Sequence, residues 1–377
     1  MRLLHFNFPI WKPPHLTTKA KSWFLFSIVF LTTGLSFAQQ KDIASTININ
    51  SKQGIIAGTL LLADKATKPI LVIFVSSVIG NNRDISGHKN SFVNFPALAE
   101  RLKLCGISSF RFDNRGIEGS TGNNQTATIF THADDVKAIY QYFKSNKKFK
   151  NFKIGLLGHS EGAASAEVAA SNNKDISFLI LLSAQGLSGW NFFKFQTEMY
   201  YKNLGEMIGE KKLADSLYQQ NAGIQKNLYD SLNRYKDYNK IRESIKSYIN
   251  LKTDSLSHSS RSEMEKLYTA WQSSQQIALK KFDPKLYLSK IKCPILSLNG
   301  DRDYSVEGIT NLQEIEQVAK KSGNRHVTTK LLPNVDHYYR TLQEGPIWNL
   351  LDKKELFSSL ASETICSWFE NIKLDKQ

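Results

Sequence analysis

Residues 68–77 read KPILVIFVSS, a short unbroken apolar run of the kind a strand buried on both faces adopts. The same signature returns in ISSFRFD (107–113), FKIGLLG (152–158), ISFLILLS (176–183) and CPILSLNG (293–300). VTTKLL (327–332) is a shorter strand pattern, and residues 46–62 alternate before running apolar, which predicts two early strands around a glycine turn. Between these runs the spacing changes to three and four. Phe92, Phe95, Leu98, Ala99 and Leu102 share one face of a helix predicted over 91–104, which stops at Cys105-Gly106. Ala133, Val136, Ile139, Tyr140 and Phe143 do the same for 131–145, and further helices are predicted at 161–171, 308–321 and near 354–372.

Strands alternating with helices predict an α/β fold, with a mostly parallel central sheet covered by helices on both faces. The rhythm breaks once. From Gln185 to Lys280 no strand-like run occurs, and the text is helical and rich in Lys, Tyr, Ser and Gln. The predicted organisation is a core of 46–184 and 281–377, with 185–280 inserted as a helical lid. No internal repeat is visible.

The first 38 residues follow other rules. Arg2, Lys12, Lys19 and Lys21 precede an apolar stretch from Trp23 to Phe37, and Ser36 and Ala38 fit a cleavage site before QQKD. This predicts a signal peptide over 1–38 and an exported, periplasmic or secreted, product. The apolar stretch falls short of the roughly 20 residues that span a bilayer, so a membrane anchor formed by an uncleaved signal is the lesser alternative. No stable span is expected after its removal.

Composition alters the picture little. The 377 residues are 41% hydrophobic and 22% charged, in the range of globular proteins, and the net charge is +15. The lysines are dispersed among acids, as over 226–252, so a solvated basic surface is expected rather than nucleic-acid binding. Cys105, Cys293 and Cys366 show no metal-like spacing and are expected to be buried free thiols; one disulfide is conceivable in an oxidising compartment.

The candidate chemistry lies in GLLGHSEGAA (155–164), where Ser160 stands between Gly158 and Gly162 at a strand-to-helix junction. Such a junction crowds the backbone, and small residues two positions either side relieve it. This is the nucleophile elbow, which lifts a serine hydroxyl to the helix N-terminus. A serine nucleophile needs a base, and the base a carboxylate to orient it. After the next-to-last strand comes NGDRD (299–303), and after the last comes LPNVDHYYR with His337. Elbow, acid and base would all lie at the carboxyl ends of strands, on one rim. Asp301 competes with Asp303, which the spacing favours. His326 precedes the last strand and starts on the wrong rim. His258 falls in the insertion, and His159 is expected to pack or shape the pocket.

At these positions the chain resembles the α/β-hydrolase fold, and more narrowly secreted carboxylesterases grouped with serine aminopeptidase-like hydrolases. The resemblance rests on VSSVIGNNRD (75–84), GHKNSF (87–92), FRFDNRGIEGS (110–120), GHSEG, NGDRD and NVDH in that order, and covers roughly residues 55–370. It implies a catalytic triad of Ser160, Asp303 and His337. It also implies an oxyanion hole of backbone N–H groups from Glu161 and from Val78 or Ser77. The glycines usual in that loop are replaced here by Ser77 and Ile79, with Gly80 shifted. Arg83, Asp84, Asp113 and Arg115 are expected to form ion pairs that support these loops. No cofactor or metal is expected.

The function implied is a serine hydrolase of carboxylic esters with small or medium acyl chains. A peptidase or amidase of the same fold is the alternative, with Glu198, Glu206 or Glu210 available to hold a substrate amine. A hydrolase-shaped but silent binding protein is a third reading. The expected partner is a small ester or a short peptide. Trp190, Phe192, Phe193 and Tyr200 would either line an acyl pocket or dock the insertion on the core.

Overall fold

The computed structural model describes residues 44–374 except 65–68, 78–80, 85–92, 254–272 and 343–356. The signal segment 1–38, Val78, the GHKNSF segment up to Phe92 and His258 therefore lie outside the described residues.

The strands are β1 (Ala44–Ser51), β2 (Gly54–Leu61), β3 (Ile70–Val75), β4 (Ser108–Phe112), β5 (Lys153–His159), β6 (Leu179–Leu182), β7 (Ile295–Gly300) and β8 (Val327–Leu332). They form one eight-stranded sheet in the order β1-β2-β4-β3-β5-β6-β7-β8. The hairpin β1–β2 and the pair β2–β4 are antiparallel, and all other neighbours are parallel. The predicted fold class is therefore the one observed, with β5 at the centre.

Apolar runs became central strands because both sides of the sheet are covered. All six residues of β3 are buried. Leu71, Ile73 and Val75 join the core on one face, while Ile70, Val72 and Phe74 join the core on the other. The first face is covered by α2 (Ile129–Ser145) and α3 (Glu161–Ser171). The second lies under α1 (Phe95–Leu104) and the last helix, Ser359–Asn371. Half of the edge strand β8 is exposed and only Leu332 is buried, matching its mixed sequence.

Helix starts differ from the periodicity by a few residues, for a local reason. Helix α1 begins at Phe95 because the Asn94 side chain caps it by accepting from Ala97 N, with Pro96 in its first turn. Helix α2 begins two residues earlier than predicted because Thr128 and Thr131 bond each other's backbone N–H groups reciprocally.

Between β6 and β7 the described chain is helical: α4 (Gly189–Ile208), α5 (Lys211–Arg234), α6 (Tyr238–Thr253), α7 (Ser274–Lys280) and α8 (Lys285–Leu288). After β7 come α9 (Gly308–Lys321) and α10 (Ser359–Asn371). Among the described residues no helix is long and apolar enough to cross a membrane.

The cysteine expectation is corrected. Cys105 and Cys366 form a disulfide across 261 residues, and only Cys293 is a free thiol. Cys105 ends α1 and Cys366 lies in α10, so two helices on the same face of the sheet are stapled together. Their pairing follows from the fold, which brings distant segments side by side.

Candidate active site

Ser160 stands at the end of β5 with φ 55° and ψ −121°, a left-handed conformation that costs a non-glycine residue about 1–3 kcal/mol. The turn exists because its neighbours are small. A Cβ on Gly158 would lie 2.5 Å from Ala163 Cα, and one on Gly162 would lie 2.1 Å from Val75 O. Helix α3 therefore starts hard against the end of β3, beside the loop that begins with Ser76 and Ser77. Asn114 Nδ2 donates to the Ser77 carbonyl at 2.5 Å and pins that loop. Glu161, the first residue of α3, follows at once. Of the backbone donors expected for an oxyanion hole, Glu161 and Ser77 thus flank the elbow.

Asp303 and His337 meet directly. His337 Nδ1 lies 2.9 and 3.0 Å from the two carboxylate oxygens of Asp303, and both side chains are buried. Ser305 N and Val306 N each donate to Asp303 Oδ1 at 2.8 Å, and Asn299 Nδ2 reaches Oδ2 at 3.4 Å. Asp301 is exposed and accepts from Asn334 N instead. His326 is exposed beside the amino ends of the strands, its carbonyl accepting from Ile295 N.

Burial opposes charge on Asp303, yet His337 and the donors around it hold its carboxyl below the usual range. Burial likewise opposes a charged His337, but Asp303, with Asp336 and Glu161 beyond it, outweighs that and raises the imidazole above its ordinary value. Such an arrangement is chemically able to serve as an orienting carboxylate and a strengthened base.

Ser160 reaches the same rim because β5, β7 and β8 run parallel. His159 ties the two loops. Its ring lies 4.9 Å from that of His337, and its Nε2 contacts the His337 carbonyl at 2.7 Å. A carbonyl only accepts, so Nε2 carries the proton and donates. Burial lowers the pKa of His159 to about 3, which keeps the ring neutral. In this structure no hydrogen bond joins the Ser160 hydroxyl to His337 among the described residues.

Tyr339 is a contributor that the sequence did not single out. It is fully buried with φ 61°, donates to Leu298 O at 2.6 Å and accepts from Ser183 N at 3.1 Å. It thereby sews the His337 loop to the ends of β6 and β7. Its only signal was its place two residues after His337. Of the residues expected to form ion pairs, Arg83 and Asp113 pair with each other (2.6 Å), whereas Asp84 pairs with Arg111 (3.1 Å) and Arg115 with Asp135 (2.8 Å), two partners the sequence did not single out.

Ser160 and Glu161 border a cavity of 250 Å³ with Phe192 and Gln196 from α4, Gln276 and Leu279 from α7, and Gln185 after β6. Of the insertion's aromatics, Phe192 lines it, whereas Trp190 stacks on Tyr229 and Tyr200 is exposed. Phe193 lies beneath the Lys280 ammonium. Glu198, Glu206 and Glu210 are exposed and do not line the cavity. Among the described residues no three His, Cys, Asp or Glu side chains gather as a metal site.

Residues 85–341 match the family model described as serine aminopeptidase, S33. No curated protein sequence matches the chain. Among solved structures, an esterase of Pyrococcus furiosus is similar at 15% identity, covering 88% of this chain and 91% of that one with a TM-score of 0.50. Est1E from Butyrivibrio proteoclasticus, solved with ferulic acid bound, shares 17% identity over 86% of this chain and 98% of its own, with a TM-score of 0.49. A thermophilic esterase from Thermogutta terrifontis shares 16% over 87% and 98%, with a TM-score of 0.46.

Proposed function

The chain belongs to the serine aminopeptidase S33 family of α/β-hydrolases, and from that premise we propose that it hydrolyses carboxylic esters with small or medium acyl chains through an acyl-enzyme on Ser160. The observation that carries this reading is the buried Asp303–His337 pair on the rim where the elbow presents Ser160 to a cavity.

In the proposed reaction a substrate carbonyl enters the cavity beside Ser160. A rotation of the serine side chain brings its hydroxyl to His337 Nε2, the ring nitrogen opposite the one Asp303 holds. As the hydroxyl oxygen attacks, its proton passes to His337. The carbonyl oxygen gains negative charge, which the N–H groups of Glu161 and of Ser77 or Val78 are assigned to hold. His337 then gives the proton to the departing alcohol. Water, deprotonated by the same imidazole, releases the acid and restores Ser160.

The inserted helices are assigned the part of a lid, since α4 and α7 each supply cavity wall. Export by the signal segment 1–38 belongs to the same proposal and is supported by the Cys105–Cys366 disulfide, a bond of oxidising compartments. The ester reading is preferred to the peptidase reading because Glu198, Glu206 and Glu210 stand away from the cavity.

A fluorophosphonate probe is expected to label the wild type and not Ser160→Ala. A folded wild type that stays unlabelled overturns the mechanism. p-Nitrophenyl esters are expected to turn over where aminoacyl anilides do not. Turnover of the anilides alone makes the protein a peptidase.

A further inference from the structure

Three glutamines border the cavity beside Ser160: Gln185, Gln196 and Gln276. Each has one end of its amide fixed by a partner of single polarity. Gln185 Nε2 donates to the Leu187 carbonyl at 2.8 Å, and Gln196 Nε2 donates to the Ser305 carbonyl at 3.1 Å. A carbonyl can only accept, so in both residues the nitrogen faces it and the amide oxygen is turned away. Gln276 is fixed in the opposite sense. The Lys280 ammonium can only donate, and it takes Gln276 Oε1 at 2.6 Å, which leaves Nε2. Among the described residues nothing claims Gln185 Oε1, Gln196 Oε1 or Gln276 Nε2. Beside the serine hydroxyls of Ser160, Ser183 and Ser305, the lining residues thus keep two amide acceptors and one amide donor open, on side chains whose other end is already held.

Size and charge narrow the guest. At 250 Å³ the space lies below the roughly 300–1,000 Å³ of pockets that take drug-sized molecules. The Glu161 carboxylate, the one charged group among the described lining residues, accepts from Gln275 Nε2 and is attracted by the buried Lys280, which lies outside the lining, so its charge is already countered from within the protein. An ionic guest would disturb that balance. A plain alkyl chain would fill the space beside Phe192 and Leu279 but leave three amide ends without partners. Each buried polar group left unpaired is expected to cost about tenfold in affinity.

Resting on the serine-hydrolase reading above, we propose that this cavity selects a small, neutral, hydroxyl-bearing portion of the substrate. Gln185 and Gln196 accept from its hydroxyls, and Gln276 donates to one of them. A hydroxyl both gives and takes a hydrogen bond, so two adjacent hydroxyls satisfy all three amides.

Two matched pairs of butyrate esters test this and separate the two places a hydroxyl could sit. p-Nitrophenyl 3-hydroxybutyrate against p-nitrophenyl butyrate reads the acyl side. Glyceryl against propyl butyrate reads the alcohol side. The expected result is a preference of about tenfold or more in kcat/KM for the hydroxylated member of at least one pair, and a fall of that ratio toward one in Gln196→Leu and in Gln276→Leu. The same pairs titrated calorimetrically onto Ser160→Ala are expected to give a similar ratio of Kd with no turnover. Equal binding and equal kcat/KM within both pairs, or a preference for the plain esters, overturns the proposal. So does a Gln196→Leu protein that changes both members of the preferred pair alike, as a merely structural side chain would. Failure of the wild type to hydrolyse any ester overturns the hydrolase reading, while the binding ratio on Ser160→Ala still decides for or against the cavity.

Discussion

At position 303 the carboxylate faces an imidazole on one side and two backbone N–H groups on the other, so its charge and its direction are both fixed. Asp303→Asn keeps the shape and removes the charge. It is expected to lower kcat on a p-nitrophenyl ester by on the order of 10⁴, because the base loses its tautomer and its partner. The pH profile carries the same information. The base must be neutral to accept a proton, so activity falls as pH drops through the His337 pKa. That pKa is raised, and the acid limb of kcat/KM is therefore expected above the ordinary imidazole value of about 6.5. The pair's contribution to stability is greatest between about pH 4 and 6.5. It weakens as pH rises through the raised His337 pKa, and as pH falls through the lowered Asp303 pKa. Denaturant midpoints of the wild type and Asp303→Asn across pH 3–9 check this. The meeting of Asp303 with His337 on the rim that carries Ser160 was legible in the sequence because each of the three follows the end of a parallel strand. Tyr339 and the three cavity glutamines were not, since no hydrophobic or motif pattern marks a side chain held by a backbone carbonyl, a backbone N–H or an ammonium.

Helix α3 and strand β3 meet more closely than side chains allow, and Gly162 is the reason. A methyl group there would sit 2.1 Å from the Val75 carbonyl oxygen, which is backbone in a central strand and cannot move aside. Gly162→Ala is expected to cost about 3 kcal/mol or more in chemical denaturation and to abolish labelling of Ser160. Gly223, in the exposed part of α5, meets nothing within 4 Å, so Gly223→Ala is expected to stabilise by about 0.5–1 kcal/mol. The elements themselves were readable wherever the apolar period was long. Their ends were less so, because a cap such as Asn94 or Thr128 acts through one hydrogen bond that periodicity does not register.

Across the molecule, burial is divided unevenly. The central strands β3, β6 and β7 are wholly buried, whereas Ala214, Leu228, Leu232 and Ile241 are the buried apolar residues described within α4–α6. Backbone amides of residues 189–253 are therefore expected to exchange with deuterium well before those of the central strands, as mass spectrometry of pulse-labelled peptides would read. The sequence announced this division, since the alternation of strands and helices stops at one place and resumes at another. It did not announce which cysteines pair, because 105 and 366 become neighbours only once α1 and α10 lie on the same face of the sheet. A protease that nicks the chain anywhere between those two positions therefore yields pieces that still migrate together on a gel, and that part only when a thiol is added. In a compartment rich in proteases, one cut in an exposed helix leaves the rim of strand ends held by a chain that remains covalently whole.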